Sequence, residues 1–590
     1  MLWSLISMTN HDYSRRRFIN SLIVIGGGLL AVPKSFAWTI RKSFAKSQWP
    51  SKPDWEALNK RVENRLIRTQ LPWINANKKI FQLLKNPFWN EEQPGALQST
   101  GWFNAWTAVA SPYAVKAANT KDIVEAVNFA REHKIKLVIK GTGHDYLGRS
   151  CAPDSLLVWT HEMRDITIHE AFVPTGAPPG TAPVHAMTVE AGTRWLEAYQ
   201  AATKAGRYVQ GGGCTSVGAC GGFTFGSGFG SFSKMFGTGS GSILEAEVVT
   251  ADGQVRVVNE YQEPDLYFAI RGGGGGTFGI ISRVTLLSHS IPKSVGLITG
   301  EIKASSDPAY RELIDDFVAF YLKTLDNPHW GESVHFDSSN VMSFNLVSLN
   351  KTEQETKAAM EVFLSKLRQR PEEFTIDLKF METDFRNMWN YEYWDKAHPD
   401  FITHDPRPDA PKGQFWWHGN GGEVSTYWTA YQSWWIPTKT LRHQREQIVQ
   451  AFFDASRITG FIFQINKGLS GESAEARARD QQTALHPHCF DAAALVLLGN
   501  QQQQKYVGVP GMEPDEQAAE KHSKAVTKAM SLIREVTPNA GSYANEADFF
   551  LDNWQELLWG TNYPRLLAIK RKYDPDNFFK VHHGIGSEEL

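Results

Sequence analysis

The stretch GGGCTSVGACGGFTFGSGFGSFSKMFGTGSGS, Gly211 to Ser242, constrains the fold of this chain more than any other. A flexible linker would consist of Gly and Ser with little else. Here Phe, Val and Cys are interleaved, so the segment has to pack. Backbone stripped of side chains yet anchored by aromatics suits continuous close approach to a large flat ligand. Two further glycine-rich runs accompany it. KGTGHDYLGRS, Lys140 to Ser150, follows the apolar run Lys136 to Ile139, and five consecutive glycines, Gly272 to Gly276, lie between DLYFAIR and the β-rich IISRVTLL.

The flanking patterns place these loops on an α/β frame. In NTKDIVEAVNFAREHK the residues Ile123, Ala126, Val127 and Ala130 recur at helical spacing, with Asn119 or Thr120 as the N-cap. A buried strand, Lys136 to Ile139, then runs into the loop in which Gly141 and Gly143 clear space around His144, Asp145 and Tyr146. Loops at strand ends are where open sheets bind ligands. ILEAEVVTADGQVRVV reads as two strands joined by Asp252-Gly253, a hairpin signal. The five-glycine run precedes a strand rather than opening a helix, which argues against a nicotinamide site. Three glycine loops together suit one extended dinucleotide whose pyrophosphate is held by backbone N–H groups, and FAD fits so long a cradle.

At 590 residues the chain calls for two or more domains. Its formal charge of -2, with no basic run beyond the N-terminus, excludes the electrostatic footprint of a nucleic-acid binder. The 20 tryptophans concentrate in stretches such as QFWWHGN and YWTAYQSWW, which serve as core and also as the flat walls of pockets for sugars and polyols. Between Val295 and Ala540, SVHFDSSNVMSFNLVSL and GFIFQINKGLSG alternate as strands, while EQETKAAMEVFLSKLRQ and EQAAEKHSKAVTKAMSLIREV are helical. Helices over an antiparallel sheet follow. Gln464 and Asn466 share one strand face and face either substrate hydroxyls or solvent. His582 and His583, adjacent on an extended segment, point opposite ways and hold no metal between them.

The N-terminus reads as an address. SRRRFIN precedes the apolar SLIVIGGGLLAV and then PKSFA, with Ser35 and Ala37 at a cleavage site. The apolar run is shorter than a bilayer span. The paired arginines resemble a twin-arginine export signal. We therefore expect a mature chain from near Trp38, periplasmic or secreted, without a membrane span once the signal is removed. Cys151, Cys214, Cys220 and Cys489 form no CxxC and no zinc spacing.

Ser111 to Pro292, with the motifs GTGHDYLGRS and GGCTSVG, resembles the FAD-binding domain of the vanillyl-alcohol oxidase and p-cresol methylhydroxylase superfamily. NWQELLWGTNYPRLLAIKRKYDPDNFFKVHHGIGSEE resembles the tail of berberine bridge enzyme-like oxidases, which include hexose and oligosaccharide oxidases. The resemblance implies an α+β fold: a two-lobed FAD-binding domain over residues 38–292, a substrate domain of helices over an antiparallel sheet over 293–545, and a segment 546–590 returning to the FAD domain. It implies FAD attached twice, through His144 and Cys214, with Cys220 the neighbour that could be mistaken for the linking thiol. Cofactor contacts are expected from Lys140, Gly141, Thr142, Gly143, Asp145 and Gly148, from Val217, Gly218 and Gly222, from Gly276 and Ile281, and from Asn562.

The implied activity is that of an FAD-dependent oxidase acting on CH–OH groups of a sugar, polyol or other alcohol, with O2 reduced to H2O2. Double attachment favours the reduced flavin, which suits poorly activated alcohols. A base must take the hydroxyl proton. Relatives place a tyrosine in a YxNYxD strand, where this chain reads GSYANEADFF, so Glu546 stands at the tyrosine position. Glu546, Tyr543 and a residue of the middle domain remain candidate bases. On a strand Tyr543 and Glu546 would face opposite sides, and Glu546 could instead cap the helix at DNWQELL. Val217, three residues after Cys214, is expected to leave dioxygen room beside the reduced flavin. A dehydrogenase using a quinone or protein acceptor, and a flavin-bearing carbohydrate-binding protein without turnover, share these contacts and stay open.

Overall fold

The computed structural model describes residues 49–588; the expected export signal, residues 1–37, lies outside them. The first lobe is the α/β unit. The helix Thr120–Glu132 is capped by the Asn119 side chain, which accepts from the Asp122 N–H. Its face of Ile123, Ala126, Val127 and Ala130 closes on Val115, Leu137, Leu156 and Val158. Lys136–Lys140 and Tyr113–Lys116 both pair in parallel with Ser155–Trp159, and Leu66–Arg68 completes the sheet antiparallel.

A second lobe is built on Ile280–Ser290, flanked by Ile243–Val249 and Val184–Glu190. The hairpin Ile243–Val249/Val255–Asn259 turns at Asp252-Gly253, where Gly253 has φ of +78°. This is the positive angle that glycine adopts without strain.

The third element is a nine-stranded sheet running Phe374–Asp384, Ser294–Ala304, Val341–Leu349, Trp330–Phe336, Phe461–Gln464, Ala492–Gln503, Thr426–Pro437, Ser99–Trp102 and Trp106–Thr107. Its neighbours are antiparallel except Ser99–Trp102, which lies parallel to Thr426–Pro437. Every residue of Val341–Leu349 is buried. Met342, Phe344 and Leu346 point to the helices Asp307–Phe320, Glu353–Leu367, Arg445–Ile458 and Glu516–Val536, while Val347 and Leu349 point into the core of the second lobe. The sheet is therefore sandwiched, each buried large apolar side chain contributing roughly 1.5–3 kcal/mol. Ser99–Thr107, within the span assigned to the first domain, supplies this sheet's edge. It reaches there because strand pairing is set by tertiary contact.

The C-terminal helix Tyr563–Tyr573 packs Leu566, Ile569 and Tyr573 against Leu266 and Phe268 of the second lobe. Among the described residues no helix is long and apolar enough to cross a membrane.

Candidate active site

A cleft of about 1580 Å³ lies where the three glycine-rich segments meet the nine-stranded sheet and the tail. Local contacts hold the segments edge to edge. The Gly218 N–H donates to Thr142 Oγ1 at 3.0 Å, tying the first loop to the second. A Cβ on Gly275 would lie 2.7 Å from Gly222 Cα, so second and third runs touch backbone to backbone. Asp480 accepts from the Thr238 N–H at 2.9 Å and from its hydroxyl at 2.8 Å, anchoring the long glycine segment to the substrate side. From the tail, Trp559 Nε1 donates to Gly272 O at 2.9 Å and Lys570 Nζ to Thr277 O at 2.7 Å, fixing the ends of the five-glycine run.

His144 and Cys214 come together on one hydroxyl. Ser216 Oγ lies 3.0 Å from His144 Nε2 and 3.6 Å from Cys214 Sγ. Burial lowers the His144 pKa to about 4, so the imidazole is neutral at neutral pH, the form able to act as a nucleophile. Burial pushes the Cys214 thiol up to about 11, with hydrogen bonding to Ser216 working in the opposite direction. All four cysteines are free thiols. Cys220 also lines the cleft, but it is buried in the apolar core and burial raises its pKa.

Gly141, Thr142, Gly143, Asp145, Gly148, Val217, Gly218, Gly222, Gly276 and Ile281 all line the cleft. Asp145 orders its loop by accepting from the Leu147 and Arg149 N–H groups, at 3.0 and 2.8 Å, and from Arg149 Nε at 2.6 Å. Lys140 and Asn562, the other two expected cofactor contacts, spend their side chains on backbone carbonyls. Lys140 is not in the lining: its ammonium donates to the carbonyls of Gln93, Pro94 and Ala96, and burial lowers its pKa to about 7. Asn562 is also outside, donating from Nδ2 to Leu485 O at 2.7 Å to fasten the start of the last helix.

The segment GSYANEADFF is not a strand. The Glu546 N–H donates to Tyr543 O at 2.9 Å, so the chain turns and both side chains enter the same cleft. The Tyr543 hydroxyl accepts from Asn545 Nδ2 at 2.9 Å and from the Gly228 N–H at 3.3 Å, and burial with the nearby Glu546 carboxylate raises its pKa. It stays a neutral phenol. Glu546 pairs through Oε1 with Lys467, while its buried Oε2 has no hydrogen-bond partner among the described residues. It does not cap the following helix, whose N-cap is Asn553.

Lys467 and Glu423 are site residues that sequence reasoning missed. Lys467 sits in a tight helical turn, Ile465–Lys467, directly after the strand ends at Gln464. That turn brings Gln464 and Asn466 to the cleft by a route other than strand alternation, and the buried Gln464 Oε1 and Asn466 Oδ1 have no hydrogen-bond partner among the described residues. Glu423 accepts from the Tyr146 hydroxyl at 3.0 Å, and its pKa is raised by burial. The signal for Lys467 was a lysine just after a strand of apolar residues; nothing local marked Glu423.

The two tail histidines depart from their expected geometry. Their rings stack with centroids 4.0 Å apart, and His582 stacks on Phe549 at 3.8 Å. The segment turns there, His583 having φ of +50°, so extended alternation does not apply.

Residues 111–259 match the family described as FAD binding domain, and residues 542–586 the family described as berberine and berberine like. The FAD-linked oxidoreductase easE of Trichophyton verrucosum is 30% identical over 584 residues, covering 92% of this chain and 90% of that protein. Among solved structures, a VAO-type flavoprotein from Myceliophthora thermophila C1 matches with a TM-score of 0.75 at 22% identity, over 92% of this chain and 96% of that one. Glucooligosaccharide oxidase from Acremonium strictum, described as carrying a 6-S-cysteinyl, 8α-N1-histidyl FAD, matches with a TM-score of 0.62 at 19% identity, over 81% and 92%. The fold is the mixed α+β fold of VAO-type flavoproteins, with an FAD-binding and a substrate domain.

Proposed function

The chain belongs to the berberine-like FAD-linked oxidoreductases of the VAO type, and from that premise we propose that it oxidises a hydroxyl-bearing carbon of a sugar, polyol or other alcohol, with FAD joined to both His144 and Cys214 and dioxygen as final electron acceptor. The observation that carries the reading is Glu546, a carboxylate with one oxygen held by Lys467 and the other, buried, without a hydrogen-bond partner among the described residues, lining the same cleft as His144 and Cys214.

The residues present fit the cofactor. Three glycine segments leave backbone free along the cleft, His144 is held neutral, and a thiol lies beside it. When bound, FAD supplies the two-electron acceptor that no side chain can provide. The protein does the rest. Glu546 Oε2 takes the hydroxyl proton, and Lys467 fixes the carboxylate's orientation. The unpaired oxygens of Gln464 and Asn466 accept hydrogen bonds from further substrate hydroxyls, a role that leaves them costly when no donor fills it. Asn420, Tyr431 and the Tyr146–Glu423 pair form other parts of the polar wall. The oligosaccharide activity named for the Acremonium strictum enzyme supports a polyhydroxylated substrate. Val217, half-buried beside Cys214, favours access of dioxygen over its exclusion.

The test is anaerobic bleaching of the bound flavin by sugars, polyols, hydroxy acids and aromatic alcohols. A hydroxylated substrate is expected to bleach it, and Glu546→Gln to slow that reduction about 100-fold or more, the usual scale of a general base. Unchanged reduction in Glu546→Gln removes Glu546 from the role; no bleaching by any substrate favours a binding protein without turnover.

A further inference from the structure

The Ser216 hydroxyl is fully buried between His144 Nε2 and Cys214 Sγ, and it owns a single hydrogen. If it donated to His144, the ring hydrogen would sit on Nδ1 and block that nitrogen. The reverse polarity runs the other way through the same hydroxyl: Nε2–H donates to Ser216 Oγ, and Ser216 O–H donates to Cys214 Sγ. Nδ1 is then left with its lone pair, and the sulfur receives a donor that stabilises its anion.

We propose that Ser216 is the positioning residue for both cofactor attachments, fixing the His144 tautomer with Nδ1 free and supplying the hydrogen bond that makes Cys214 a competent nucleophile. This rests on the reading that FAD is joined to both side chains. Each attachment forms one bond, from carbon to nitrogen or from carbon to sulfur. It removes one hydrogen from the flavin carbon and one from the side chain, and the two electrons and two protons pass to dioxygen, giving one hydrogen peroxide per bond.

Two independent features support the assignment. Ser216 itself has no exposed surface, so its hydroxyl is left to these two partners rather than to solvent. The thiol also needs help, because burial pushes Cys214 up to about 11, and the Ser216 contact is the side-chain interaction that opposes this. Ser216 is held from the other side by its own turn, in which the Val217 N–H donates to Cys214 O at 3.4 Å and the Trp195 N–H to Val217 O at 2.9 Å. The turn thus fixes the backbone from which the hydroxyl reaches both partners.

The experiment uses the full chain produced under flavin limitation and then given FAD in aerated buffer. Acid-stable flavin is followed over time, and peptides containing His144 and Cys214 are weighed. Ser216→Ala is expected to bind FAD, turning yellow in native buffer, but to form acid-stable flavin about 100-fold more slowly at both positions, the lower range of effects for an oriented proton partner. Ser216→Thr keeps the hydroxyl and restores both. Attachment in Ser216→Ala at the wild-type rate, or a loss that Ser216→Thr fails to restore, overturns the proposal. Wild type without any acid-stable flavin refutes the double-attachment reading itself and the proposal with it, an outcome distinct from a defect confined to Ser216→Ala.

Discussion

Gly148→Ala tests how the His144 loop is held. Gly148 has φ of +72°, and a Cβ there would sit 2.5 Å from Trp106 Cδ2 and 2.9 Å from two further ring atoms. Two costs add. A non-glycine residue in the left-handed region costs roughly 1–2 kcal/mol. Forcing a methyl into a filled contact costs about 1–3 kcal/mol more. The total is about 2–5 kcal/mol. The ring cannot easily retreat, because Trp106 Nε1 donates to Tyr146 O at 3.1 Å and Trp106 lies in a strand at the edge of the nine-stranded sheet. The assay is denaturant unfolding of wild type, Gly148→Ala, Trp106→Ala and the double variant. With the indole gone only the backbone cost remains, so Gly148→Ala should cost about 1–2 kcal/mol in the Trp106→Ala background, giving a coupling of about 1–3 kcal/mol. A Gly148→Ala penalty under about 0.5 kcal/mol, the range of an ordinary surface change, or an equal penalty in both backgrounds refutes the reasoning.

Three further outcomes are expected. His486 accepts at Nδ1 from the His488 N–H and donates from Nε2 to Glu556 O, and burial and the nearby His488 lower its pKa from 6.5 to about 4. The folded state then binds fewer protons than the unfolded one, so stability is full above pH 6.5 and is lost as pH falls toward 4. The loss is about 3 kcal/mol for this residue, and denaturant midpoints that stay level between pH 7 and 4.5 would argue against it. His144→Ala should leave flavin attached through Cys214 alone, checked by the mass of the Cys214 peptide after acid treatment; complete release of flavin by acid would mean that Cys214 makes no bond. Val217→Ile should slow the return of flavin colour in aerated buffer without changing reduction by substrate; slow return in wild type alongside fast turnover with a quinone would make the protein a dehydrogenase.

Local sequence sufficed wherever neighbours along the chain decide the structure. Asn119 capping Thr120–Glu132, the Asp252-Gly253 turn and the helix Glu516–Val536 follow from capping, turn chemistry and apolar periodicity, all acting within a few residues. The glycine runs around His144 and Cys214 marked the cleft because removing side chains is itself a written instruction. What the sequence left open was set by contacts between distant segments. Tyr543 and Glu546 share the cleft because a turn replaces the expected strand, and Lys467, seventy-nine residues earlier in the chain, meets Glu546 there. Glu423 becomes part of the wall only because Tyr146 lies against it across 277 residues. Lys140 sits at the end of a strand that leads straight into the cleft, yet its ammonium is spent on three carbonyls 44 to 47 residues away. A side chain's partner depends on where the folded chain brings another surface, and periodicity and propensity carry no record of that. The sequence alone therefore determined which segments form the cofactor cradle, and the tertiary structure decided which side chains face into it.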